Sequence, residues 1–137
     1  MKKRSELRDV IIKILYQTYI YDNSSINYNI DELVKEQLEI ENEFVNESVK
    51  EIKEKENEIN EIANKYLKNW SIDRLSKVDK AILSLGIYEL LFTDTPNIIS
   101  INEAIELSKI YSDEKVTKMI NATLDSIYHN EVPDGEW

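Results

Sequence analysis

The stretch "SKVDKAILSLGIYELLF" (76–92) constrains the fold of this chain more than any other. Past its polar start, Val78, Ala81, Ile82, Leu83, Leu85, Ile87, Leu90 and Leu91 fall on every side of a helix turning 3.6 residues at a time. A helix that is apolar all round has to be covered all round. The pattern therefore predicts a central helix with others packed about it. Ser76 and Asp79 have capping-box spacing, with Asp in place of the usual Glu. Gly86 in the interior costs about 1 kcal/mol relative to Ala, so a neighbouring helix is expected to approach closely there.

The remaining segments also read as helices. Leu7, Val10, Ile11, Ile14 and Leu15 make one apolar stripe, with Ser5 as the expected N-cap. Beside it runs a mixed row, Arg8, Ile12, Tyr16 and Tyr19, of the kind that packs on a second lobe or receives a partner. "YDNSSINYN" (21–29) reads as a loop, and Ile30 to Leu38 as a short helix. From Phe44 to Leu67 the pattern is helical, and the spacing from Ile52 to Ile59 suits either a continuous helix or a break near residues 55–57. Ser100 and Glu103 form a second capping box ahead of "INEAIELSKIY". A last helix carries Val116, Met119, Ile120, Thr123, Leu124 and Ile127, and "VPDGEW" reads as a frayed tail. With no alternating strand pattern and only two glycines and two prolines in 137 residues, the fold class is all-α. The expected arrangement is a single domain over residues 1–137, a compact two-lobed helical bundle around that central helix. Its N-terminal lobe reaches to about residue 70, its C-terminal lobe spans about 71–130, and a tail covers 131–137.

Chemistry is sparsely provided for. The chain has no cysteine, which removes disulfides, thiolate metal sites and thiol nucleophiles. His129 is the single histidine and stands near the end of the last helix, where a cation suits the helix dipole. No glycine-rich phosphate loop and no metal-ligand spacing occurs. The residues thus point to no enzyme, no catalytic group, no metal and no cofactor. No apolar run is long enough to span a membrane and the N-terminus lacks signal-peptide form, so a cytoplasmic protein is expected.

Charge is the other informative feature. The formal net charge is −10, yet residues 1–19 carry +3, and residues 31–62 carry −8. Residues 63–91 return to +2 and residues 92–137 to −6. Charges more than about 8 Å apart are largely screened at physiological salt, so local field decides partners better than net charge. The head holds Lys2, Lys3, Arg4 and Arg8, and two further basic concentrations, "RLSKVDK" (74–80) and "KVTK" (115–118), stand at helix starts. Backbone N–H groups there favour phosphate. Brought together, such segments would form a basic patch on an acidic protein.

In "RLSKVDKAILSLGIYEL" followed by "INEAIELSKIYSDEKVTKMINATLD", and in the Arg8…Leu15-Tyr16 spacing, the chain resembles the bacterial transcription antitermination factor family NusB. The resemblance is strong over residues 74–125 and weak in the acidic middle. It implies an all-helical, two-lobed, non-enzymatic protein that pairs with ribosomal protein NusE. The pair would bind boxA-type single-stranded RNA in nascent ribosomal RNA transcripts, within the RNA polymerase antitermination complex. By resemblance Lys2, Lys3, Arg4 and Arg8 touch RNA, Lys80 and Lys118 extend the patch, and Tyr66 stacks on a base. Tyr16 and Asp79 are the expected NusE contacts.

Three positions depart from the family pattern. Met119 stands where Phe is common, Ala122 where Gly is, and Ser84 where Arg often appears. Together with a head poor in arginine, which alone offers bidentate guanidinium contacts, they imply weak RNA binding without NusE. Two alternatives to an antitermination factor remain open at this stage. One is a NusB-like RNA-binding module of a larger enzyme, such as a ribosomal RNA methyltransferase. The other is a homodimer that masks the RNA patch.

Overall fold

The computed structural model describes residues 2–133. Among them the elements are α1 (Arg4–Asn23), α2 (Ile30–Gln37), α3 (Glu43–Glu54), α4 (Glu56–Tyr66), a 3-10 turn (Ile72–Arg74), α5 (Lys77–Phe92), α6 (Asn97–Tyr111) and α7 (Glu114–Glu131). No strand occurs among the described residues, and no helix there is long and apolar enough to cross a membrane. The fold is all-α, as the apolar periodicity requires. The chain divides into two compact units, Met1–Lys55 and Glu56–Trp137.

In the first unit α1 packs on α2 and α3, and α2 on α3. Its core contains Leu7, Val10, Ile11, Ile14 and Leu15 of α1, Leu33 and Val34 of α2, and Val45, Val49 and Ile52 of α3. Asn29 and Asn42 cap α2 and α3 by accepting the Glu32 and Val45 N–H groups at 3.2 and 3.1 Å. In the second unit α5 is the hub, packed on α4, α6 and α7. Every residue from Ala81 to Leu90 is buried, which meets the expectation drawn from its all-round apolar surface. A Cβ built on Gly86 would lie 3.0 and 3.3 Å from the Leu124 methyls of α7 and 3.5 Å from Ala104 Cβ of α6. The glycine therefore lets two helices reach the hub at one level.

Several local expectations are corrected. Ser5 is not the cap of α1. The helix begins at Arg4 after an extended Lys3, whose N–H donates to the Glu6 carboxylate at 3.5 Å. Ser100 likewise lies inside α6, where its hydroxyl donates to the Pro96 carbonyl at 3.4 Å. Proline brings its own fixed φ and needs no N–H partner, so the turn starts at Asn97 and the capping-box spacing falls within the helix. Tyr21 to Asn23, expected in a loop, are the last residues of α1. The mixed row of α1, expected to pack or to receive a partner, is not among these corrections: Arg8 (4% exposed), Ile12 and Tyr19 are buried, and Tyr16 is exposed, at 42%.

The stretch from Phe44 to Leu67 breaks at Lys55 (φ −95°, ψ 13°), which ends α3 and lets α4 start a new course. That break also sets the division between the units. It lies at residue 55 and not near 70 because α4 packs on α5 and α7. At the far end, Glu131 is still helical, whereas residues 134–137 of the expected tail lie outside the described residues.

Candidate nucleic-acid interface

Among the described residues, each unit gathers cationic side chains. In the first, Lys2, Lys3 and Arg4 are exposed at the start of α1. Cations are disfavoured there by the helix dipole, and Glu6 is the one acid of the first turn. The Arg4 guanidinium lies 3.9 Å from the centroid of the Phe44 ring, and that of Arg8 lies 5.7 Å from it. Arg8 is thus an interior cation behind the exposed head. Lys2 also borders a groove with Leu7 and residues 37–42, in which Ile40 stands 83% exposed between Glu39 and Glu41.

In the second unit a cavity of about 250 Å³ is lined by Trp70, Arg74, Leu75, Ser76, Asp79, Lys115, Val116 and Met119. Both basic segments noted in the sequence contribute to it, Arg74 from "RLSKVDK" and Lys115 from "KVTK". Arg74 ends the 3-10 turn ahead of α5 and Lys115 stands in the first turn of α7; both helix starts are capped, Ser76 accepting the Asp79 N–H at 3.2 Å and Asp113 the Val116 N–H at 2.9 Å. Asp79 is buried and accepts a hydrogen bond from the Ser112 hydroxyl, which ties the start of α5 to the α6–α7 junction. Trp70 is half exposed and was missed in the sequence. The available signal was an aromatic in a polar turn four residues before Arg74. It brings an aromatic side chain to the cavity wall that Met119 shares.

The other expected site residues are distributed around this unit. Lys80 forms an ion pair with Asp73 at 3.2 Å, and its side chain is 15% exposed. Lys118 pairs with Glu114 at 3.3 Å on the open face of α7. Tyr66 and Lys118 do not line the Trp70 cavity. Tyr66 is held by its hydroxyl, which donates to the Glu131 carboxylate, and Lys65 Nζ reaches the same oxygen at 2.9 Å. These contacts fasten the end of α4 to the end of α7. Among the described residues no group of three or more metal-ligating side chains stands together.

The Tyr66 hydrogen bond, and then Lys65, hold the Glu131 carboxyl below its ordinary value of 4.5. A depressed carboxylate stabilises the fold above its unfolded pKa, and that contribution disappears as pH falls through the folded value. Glu131→Gln is therefore expected to melt below wild type at pH 7, and the gap to close on acidification below pH 4.5. A gap that does not narrow at all as the pH is lowered, in parallel thermal melts, would show that charge at Glu131 is not its source.

The comparisons with known proteins agree with this architecture. Residues 5–129 match the model of the NusB family. The transcription antitermination protein NusB of Methylacidiphilum infernorum is 40% identical, over 93% of this chain and 91% of that one. The T. maritima NusB structure superposes with a TM-score of 0.82 at 33% identity, covering 96% of this chain and 94% of its own. A crystal structure of antitermination factors NusB and NusE in complex with dsRNA gives 0.76 at 32% identity, over 92% and 96%. The relatives are named as antitermination proteins, not as enzymes, and on the family match and the identity together this chain belongs to the NusB family.

Proposed function

We propose that this antitermination factor binds boxA-type single-stranded RNA of nascent ribosomal transcripts jointly with ribosomal protein NusE, in the bacterial cytoplasm, as part of the RNA polymerase antitermination complex. The observation that carries the reading is the cavity uniting Trp70, Arg74 and Lys115 on a chain whose net charge is −10. A half-exposed aromatic beside one guanidinium and one ammonium group suits an unstacked base and its phosphates. Lys2, Lys3 and Arg4 add phosphate contacts, with Arg8 supporting them from behind. Lys80 and Lys118 already have carboxylate partners and exchange these for phosphate on binding. Tyr66 contributes its ring, since its hydroxyl is engaged. Tyr16 is available to NusE directly, whereas Asp79 acts there through the junction it holds with Ser112.

Binding should be weak for the chain alone and strong for its complex with NusE. Labelled boxA-type RNA titrated into each, with a scrambled strand and a duplex as competitors, tests this. Preference for the boxA strand that is lowered on the order of tenfold by Trp70→Ala is the expected result, at roughly 1–3 kcal/mol per stacked base. Equal binding of duplex and scrambled RNA would overturn the single-strand reading. Gel filtration of the same samples decides against it in favour of a homodimer if a dimer persists when NusE is added.

A further inference from the structure

We propose that Phe44 is a positioning residue for RNA binding: its ring face holds the Arg4 guanidinium ready for phosphate. The inference rests on the RNA reading above and adds to it a residue that itself touches no RNA. The ring comes from the first turn of α3, and the Asn42 cap fixes that turn, accepting the Val45 N–H at 3.1 Å. Val45, Val49 and Ile52 are buried along the same helix, so its register against α1 is set by the core. Phe44 therefore stands at a defined place relative to the head, whereas Arg4 is an exposed, long and rotatable side chain.

Arg4 and Arg8 are four residues apart on one helix, and like charges at that spacing repel. They also stand in the first turns of α1, where the dipole disfavours cations. Two guanidinium groups at 3.9 and 5.7 Å from one aromatic centroid have the negative ring face as a common counterweight. That contact leaves their N–H edges unused by the ring, and a phosphate arriving at Arg4 meets a side chain whose freedom is already reduced. Ordering a flexible charged side chain on binding is a substantial part of the cost of association, so removing the ring should weaken binding without removing a charge.

The test uses the full chain with NusE and boxA-type RNA. Phe44→Leu keeps apolar cover for the arginine stems but has no π face, and Phe44→Trp keeps the face. Phe44→Leu is expected to lower RNA affinity about threefold, less than the loss of Arg4 itself, with an unchanged salt slope. Phe44→Trp should restore it. Arg4→Ala should instead reduce the log–log salt slope by about 0.7, and in that background Phe44→Leu should cost much less.

A readout free of RNA accompanies these. In the wild type the Arg4 side-chain proton resonances should be shifted upfield by the ring current, and in Phe44→Leu they should move to random-coil positions. The inference is overturned if Phe44→Leu binds as wild type does, or if its loss is equal in the Arg4→Ala background. Random-coil Arg4 resonances in the wild type would overturn it as well. Absence of RNA binding by wild type with NusE would overturn the RNA reading, and this inference with it. Intact wild-type binding with an indifferent Phe44 would sink the inference alone.

Discussion

Replacing Lys2, Lys3 and Arg4 together by alanine is expected to flatten the salt dependence of RNA binding by about 2 units of log–log slope. Each contact to a single-stranded phosphate contributes about −0.7, so the three exposed cations of the head should account for about −2 of the wild-type slope. Discounted for exposure, each contact should also supply about 1 kcal/mol, so the triple variant should bind on the order of 100-fold more weakly at physiological salt. The three side chains are exposed and their loss leaves every core residue in place. Stability should therefore change by no more than about 0.5 kcal/mol, and NusE binding should persist. Arg8 is left out of this set deliberately. It is 4% exposed, so truncating it would mix a packing defect with a binding defect. A triple variant with the wild-type slope and affinity would remove the basic head from the interface.

Gly86→Leu should be the most damaging single change in the second unit. A methyl group alone would stand 3.0 Å from one Leu124 methyl and 3.5 Å from Ala104 Cβ, and leucine adds three further carbons to that crowded space. Overpacking of a dense core costs about 1–3 kcal/mol and sometimes more, and here α5, α6 and α7 would all have to shift. A loss of about 3 kcal/mol, or roughly 10 °C in Tm for a chain of this size, is expected by thermal denaturation. Gly86→Ala probes the same contact more finely. Alanine gains about 1 kcal/mol of helix propensity, and the tip of Leu124 must yield by a few tenths of an ångström to admit it. A Leu variant as stable as wild type would mean that the helices are not close enough for glycine to be needed.

How much of this was legible beforehand depends on whether the signal was local. The burial of α5 could be read from its apolar residues alone, because no arrangement of neighbours leaves one of its faces in water. Helix starts were less readable. Capping-box spacing at Ser76 marked a true cap, while the same spacing at Ser100 did not, since Pro96 had already begun the helix. The mixed row of α1 read as packing on a lobe or receiving a partner, and the fold decides between these residue by residue: Arg8 and Tyr19 are buried, with the Arg8 guanidinium and the Lys53 ammonium set over aromatic rings, while Tyr16 is exposed. Polar side chains with long apolar stems are poor markers of exposure.

The candidate site was the least legible part. "RLSKVDK" and "KVTK" were visible as basic segments, but their meeting at one cavity depends on the α5–α7 packing, and Trp70, an aromatic in a polar turn near Arg74, gains its place beside Lys115 only in the fold. Sequence by itself determined the helical class, the hub helix, the uneven charge and the family resemblance, because these are carried by periodicity and by motifs within single segments. Tertiary structure alone decided that Phe44 lies under Arg4 and that Trp70, Arg74 and Lys115 share a wall. Arg4 and Phe44, and Lys115 and either Trp70 or Arg74, are 40 or more positions apart, and such distances close only when helices pack.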